Sequence, residues 1–358
     1  MSADFKDRLV RQAASPAGRI LLVVLLLTLP FWFGATLGPY WMRIVDFCLL
    51  YALLALGLNI VVGYAGLLDL GYIAFYAVGA YVFALLASPH FDLHWSAWMI
   101  LPLAAVAAAF AGALLGAPTL RLRGDYLAIV TLGFGEIVRL FMNNLDRPVN
   151  ITNGPQGISG IDPVSVGGVS LGGSLHLGPV SLGSAQLYFY LLLALVVVAV
   201  VICRRLERSR IGRAWVAIRE DEIAAHAMGI NTRNMKLLAF AMGATFGGVG
   251  GALFASFQGF VSPESFTLME SIMVLCMVVL GGMGHIPGVL LGACLLTLTP
   301  ELLREVINPL QRELFGHMVV DPENLRMLLF GSAMVLVMLY RPAGLWPSRR
   351  RQRELEHD

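Results

Sequence analysis

AWMILPLAAVAAAFAGALLGA, residues 97 to 117, carries no charged side chain and has the length, roughly 20 residues, that a helix needs to cross a bilayer core. A membrane barrel would show short alternating segments, whereas this run, like Ile20 to Leu37 and Ile44 to Val62, is long and nearly continuously apolar and so reads as helix. The whole chain agrees with the run: 58% of its 358 residues are hydrophobic and 13% charged, with mean hydropathy +0.75. A core cannot hide that much apolar surface, so the excess faces lipid. The fold class is an all-α polytopic membrane protein.

Working outward, spans are expected near 20–37, 44–62, 70–87, 97–117, 126–142, 187–203, 237–257, 267–283, 286–303 and 325–340, about ten transmembrane helices. The Gly-rich stretch Gly63 to Gly71 is a candidate broken or re-entrant element, so nine or eleven spans are also compatible. Positive charge is retained in the cytoplasm. With the N-terminus inside, cytoplasmic segments hold 19 of the 25 Lys and Arg residues and both termini are cytoplasmic. The expected organisation is a cytoplasmic segment at 1–19, a transmembrane domain at 20–340 and a basic tail at 341–358. Within the domain, 143–186 forms an outer loop and 204–236 a cytoplasmic one. The outer loop, rich in Gly, Ser and Pro, fits a flexible connector and a partner surface equally well. Five spans on each side of it are compatible with inverted five-helix halves, although no internal sequence similarity supports them.

Lys6, Arg8, Arg11 and Arg19 ahead of an apolar run imitate a signal peptide, but that run is long enough to span and is expected to be a retained helix. The net charge of +2 gives no reason to expect nucleic acid. Cys48, Cys203, Cys276 and Cys294 form no CxxC pair and are expected as free, buried thiols. Seven scattered histidines show no ligand spacing, so neither a metal site, a cofactor nor a catalytic constellation is expected.

The cytoplasmic loop reads GRAWVAIREDEIAAHAMGI from Gly212 to Ile230. Gly212 and Gly229 bracket a stretch with few helix breakers, which is expected to form a docking helix for a soluble partner or an ordinary interfacial helix on the bilayer. Arg213, Arg219, Glu220, Asp221 and Glu222 alternate in sign, while Trp215 and Ile218, three apart, would form one apolar anchoring face. Inside the spans, polar groups are costly unless paired or lining a path. Glu136 and Arg139 are three apart on one helix and fit a structural ion pair or, for Glu136, a substrate contact. Asn59, Tyr64, Asp69 and Tyr72 gather around the Gly-rich stretch, where an interrupted helix exposes backbone groups, and are the candidate translocation-pathway residues, weighed against packing and capping. Gly243, Gly247 and Gly251 share a helix face that suits close packing.

The loop resembles the coupling segment of bacterial ABC importer permeases, whose pattern is Glu-Ala-Ala, three residues, then Gly. Ala224, Ala225 and Gly229 keep the spacing, but Ile223 holds the Glu position and Glu222 stands one residue early. The segments GLNIVVGYAGLLDLGYIAFYAVGAY (57–81), LRLRGDYLAIVTLGFGEIVRL (120–140), GRAWVAIREDEIA (212–224), QGFVSPESFT (258–267) and VVLGGMG (278–284) are similar to the LivM-type permeases of branched-chain amino acid importers. The resemblance implies an ABC importer permease fold in a bacterial inner membrane. It also implies a second, LivH-type permease, two cytoplasmic ABC ATPases and a periplasmic solute-binding protein delivering leucine, isoleucine or valine. Gly212, Arg213, Trp215, Arg219, Glu220, Asp221, Glu222, Ala224, Ala225 and Gly229 would then be the ATPase-coupling residues. Lys6 and Lys236 are the only lysines, and neither stands in a phosphate-binding Gly-Lys-Ser/Thr context, so ATP hydrolysis is expected on another chain. Permeases of the same architecture carry urea or other small amides. An ion-coupled secondary transporter working alone is the rival from another class, and Asp69 and Glu136 would be its carboxylates.

Overall fold

A computed structural model describes residues 27–32, 38–119, 122, 124–177, 180–315 and, beyond them, 328, 331–332, 335, 339–340 and 344–346. Gly38, at φ 85, turns the chain into helix α1, Pro39–Asn59, which starts on a proline whose missing N–H no helix bond would use. One π turn, Ile60–Tyr64, extends α1, and helix α2 resumes at Ile73–Leu86. Between them residues 65–72 are non-helical; Ala65, Leu67, Asp69, Gly71 and Tyr72 are buried, Leu68 and Leu70 partly so, and Gly66 is exposed. The Gly-rich stretch is therefore a break, and the span expected at 70–87 is helical only from 73. At 1.5 Å per residue, the 14 residues of α2 reach about 21 Å, short of the ~30 Å core.

Helices α3, Ala97–Thr119, and α4, Asp125–Asn144, follow. Helix α5 is Ser184–Arg208, the loop helices are α6, Arg210–Glu220, and α7, Glu222–Ala227, and the remaining three are α8, Thr232–Gln258, α9, Leu268–Gly281, and α10, Ile286–Phe315. The expected spans between 44 and 303 thus all coincide with helix, with most ends moved by a few residues and the last helix running on from 303 to Phe315. The spans expected at 20–37 and 325–340 lie largely outside the described residues, as do the segments 1–19 and 347–358. Among the described residues, six stretches are able by length and composition to cross a membrane: Pro39–Tyr64, Ala97–Thr119, Ser184–Arg208, Thr232–Gln258, Pro263–Gly281 and Ile286–Glu305. Helix α4 is long enough but carries Glu136 and Arg139.

Helix α8 is the centre of the bundle and packs on α1, α2 and α3. Between apolar helices in lipid there is little hydrophobic drive, so close van der Waals contact through small residues has to supply the attraction. Gly243 faces Val61 and the Gly57 carbonyl, Gly247 faces Phe75, and Gly251 lies against the Tyr76 carbonyl. Gly248, on the neighbouring face, lies against Ala104 and Ala108 of α3.

The loop expected at 143–186 is tied down. Strand β1, Ile158–Ser159, pairs antiparallel with β6, Phe260–Val261, beyond α8. Two hairpins pair β2, Ser165–Val166, with β3, Val169–Ser170, and β4, Leu175–Leu177, with β5, Val180–Leu182. The Val164 N–H donates to Ser256 Oγ at 2.8 Å, and Trp98 Nε1 donates to the Ser165 carbonyl at 2.9 Å. A freely flexible connector does not describe it.

Candidate functional site

The arginine-rich end of the bundle carries the 204–236 loop, and its first surprise is local. The segment expected as one helix is two. Ser209 caps α6 by accepting from Gly212 N at 3.2 Å. Asp221 is extended (φ −152, ψ 110) and caps α7, accepting from Ile223 N at 2.8 Å and Ala224 N at 3.0 Å. A short acid side chain that bonds the next turn's amides competes with helix continuation, so the chain bends there. Gly229, at φ 86, ends α7: its N–H reaches the His226 carbonyl and the Ile230 N–H reaches the Ala225 carbonyl at 3.1 Å. This pair of bonds is the Schellman closure that favours glycine.

Trp215 and Ile218 do form one apolar face, but it turns inward: Trp215 is fully buried, and its Nε1 donates to the Met235 carbonyl at 2.7 Å. Gly212 and Ala225 are buried too. Glu222 pairs with the buried Lys236 Nζ at 2.5 Å, fastening α7 to the start of α8. What the unit turns outward is Arg213, Glu220, Asp221, Ala224 and the tip residues Ile223 and Met228, which are 70% and 84% exposed. Spacing shows that Trp215 and Ile218 share a face and not which way that face turns. Two large apolar residues flanking Ala224–Ala227 were the available signal.

From the last turn of α6, Arg219 reaches into the bundle, where Nη1 donates to the Gly63 carbonyl at 2.7 Å. Around this break the sequence-derived pathway residues come together. Asn59 Oδ1 accepts from Gly284 N at 2.8 Å, Asp69 Oδ1 accepts from Gly71 N at 2.9 Å, and Tyr72 donates to the Gly243 carbonyl at 3.1 Å. The extended segment is pinned by Thr131 Oγ1, which accepts from Leu70 N at 3.0 Å, and by Ser271, which donates to the Leu70 carbonyl at 2.6 Å. Three atoms here are buried without a hydrogen-bond partner: Asn59 Nδ2, Tyr64 Oη and Asp69 Oδ2. Leaving such a group unsatisfied costs about 1–3 kcal/mol, so the arrangement stores polar capacity it does not use.

Residues 42–338 match the family model "Branched-chain amino acid transport system / permease component". The chain belongs to this permease family. It is 45% identical over 353 residues to the high-affinity branched-chain amino acid transport system permease protein LivM of Escherichia coli (strain K12), an alignment covering 95% of this chain and 77% of that protein. It is 46% identical over 326 residues to LivM of Salmonella typhimurium, covering 87% and 71%. LivH of Escherichia coli (strain K12) is 26% identical over 305 residues, covering 82% and 90%. No solved structure matches the chain.

Elsewhere in the permease, Arg139 bonds the Glu136 carboxylate on α4 and lies 3.4 Å from Glu264 in the loop before α9. Glu136 follows Gly135, which packs on Gly71, so α4 touches the break through Thr131 and Gly135 while the charged pair lies beside it. Asp46 was missed altogether. It is fully buried within the apolar run of α1, and neither of its oxygens has a hydrogen-bond partner. A lone carboxylate inside a span was signal enough. The four cysteines are free thiols, with Cys48 and Cys203 buried, but Cys276 and Cys294 are only partly so. Among the described residues, no group of three His, Cys, Asp or Glu is placed to hold a metal ion.

Proposed function

We propose that the chain is the transmembrane subunit of an ATP-driven importer. It would accept a branched-chain amino acid (leucine, isoleucine or valine) from a periplasmic binding protein and pass it inward beside a second, LivH-type permease. Two ATPase subunits would dock on the α6–α7 unit at the cytoplasmic face of a bacterial inner membrane. The observation that carries this reading is the form of that unit: its aromatic face and Lys236 lock it to the bundle, while Ile223 and Met228 stand out at its tip. A rigidly seated helix pair with an apolar tip suits a soluble motor that pushes on a membrane domain, since a few side chains that become fully desolvated on binding carry most of the energy of such interfaces. Family membership supports the substrate class.

The break at residues 65–72 supports a path through the chain, with Asn59, Tyr64, Asp69 and Tyr72 as its polar groups and Glu136 at its flank. Non-helical backbone survives at membrane depth where it is buried in protein or lines a water-filled cavity. The test is reconstitution. Proteoliposomes holding both permeases and the ATPases should take up leucine only with ATP inside and loaded binding protein outside. Uptake by this chain alone under a proton or sodium gradient would instead establish a secondary transporter, and stimulation by urea in place of leucine would reassign the substrate.

A further inference from the structure

The Gly63 carbonyl, near the C-terminal end of the α1 π turn, is a meeting point of four pieces of chain. Helix C-terminal carbonyls lack intrahelical partners and carry the negative end of the helix dipole, so they favour a cation. The neighbouring carbonyls of Ile60 and Val61 are taken by Ala65 N and Leu67 N. Gly63 is instead satisfied from outside its own helix, by Arg219 of α6. The Arg219 stem lies across Gly66, which has φ 69, and a Cβ on Gly66 would stand 2.6 Å from Arg219 Cγ. Gly284, in the turn between α9 and α10, completes the group: its N–H holds Asn59, and a Cβ on it would stand 3.3 Å from the Gly63 oxygen and 3.6 Å from Arg219 Nη1.

Just beyond this junction lie the buried, unpartnered atoms of Asn59, Tyr64 and Asp69. They make the closed form of the break costly, and groups of that kind gain partners once water or a solute reaches them. The bond that clasps the break to the loop is charge-assisted, which places it among the stronger hydrogen bonds. It also runs directly from the unit on which a motor would push.

We propose that Arg219 is a positioning residue that couples movement of the α6–α7 unit to the broken helix: with its bond to the Gly63 carbonyl made, the segment 63–71 is held in the form that buries the Asn59, Tyr64 and Asp69 side chains, and with the bond broken those groups open to the path. This deepens the docking role proposed for α6–α7 and rests on it.

The test uses the complete complex in proteoliposomes, with leucine uptake and ATP hydrolysis measured on the same vesicles. Arg219→Ala should still co-purify with its partners, while leucine moved per ATP hydrolysed falls about tenfold. Arg219→Lys keeps a cation for the Gly63 carbonyl and should recover a large part of the ratio. Gly66→Ala, which displaces the arginine stem without removing its charge, should lower it as Arg219→Ala does. An unchanged ratio in Arg219→Ala overturns the proposal. So does loss of assembly in that variant, or a lysine variant no better than alanine. The paired substitution Ile223→Glu and Met228→Glu separates the two readings: it should abolish ATPase co-purification, and if the ATPases stay bound, the docking reading fails whatever Arg219 does.

Discussion

Asp221 and Glu222 look alike in the sequence as adjacent acids in a charged loop, yet they do different work. Asp221 turns its carboxylate to the amides of Ile223 and Ala224 and bends the chain, while Glu222 neutralises the buried Lys236. Removing Glu222 would leave an uncompensated buried cation, which is why such pairs tolerate loss of one partner poorly. A third titratable residue, His94, sits at the opposite end of the bundle, where Nδ1 meets Asp162 Oδ2 at 2.5 Å and Nε2 lies 3.4 Å from Asp92. The hydrogen bond to Asp162, followed by the carboxylate charge, raises the His94 pKa above its ordinary 6.5. The sign follows from linkage. A group whose folded pKa is raised contributes its stabilisation fully below the unfolded value and loses it as pH climbs through the folded one. The tie between the 87–96 loop and the hairpin loop should therefore hold below about pH 6.5 and loosen as pH rises above that value. Proteolysis of the hairpin loop should accelerate over this range in the parent, and His94→Gln should remove the pH dependence.

Among the elements, α8 shows what glycine spacing means once neighbours are known. Gly243 and Gly247 were legible as one face, and the structure supplies their partners, α1 and α2. Gly251 faces Tyr76 so closely that a Cβ there would collide with the carbonyl and stand 2.8 Å from Ala80 N. Gly251→Val should lower the unfolding free energy of the purified permease by about 1–3 kcal/mol, the range for overpacking a tight contact. Gly133→Ala is the control: nothing lies within 4 Å of that Cβ, so the substitution should be neutral or stabilise slightly by reducing the freedom of the unfolded chain. Thermal or denaturant unfolding in detergent reads both. The 204–236 loop was harder to read from its pattern. A charged stretch between two glycines is consistent with one helix, and the bend comes from the Asp221 carboxylate turning to the amides of Ile223 and Ala224 instead of pointing to solvent.

For the whole molecule, positive-charge asymmetry sets an orientation that labelling can check. In a background with the four native cysteines replaced, Met228→Cys should react with an impermeant maleimide only from the cytoplasmic side. Val166→Cys, on the exposed β2 hairpin strand, should react only from outside. Reaction of both from one side would invalidate the assigned topology. The membrane class and most helix positions were determined by the sequence alone, which marked Gly63 to Gly71 only as a candidate for a broken or re-entrant element. Apolar run length is a one-dimensional property set by bilayer thickness, whereas glycine content alone does not separate the break from α8, which stays helical through Gly247, Gly248, Gly250 and Gly251. Family resemblance added the transport system. Only the tertiary structure decided that Trp215 faces inward and Ile223 outward, that Asp46 is buried without partners, and that Arg219 of the loop meets the Gly63 carbonyl 156 residues away. Those facts depend on which helix lies beside which, and contacts between distant segments leave no periodic trace along the chain.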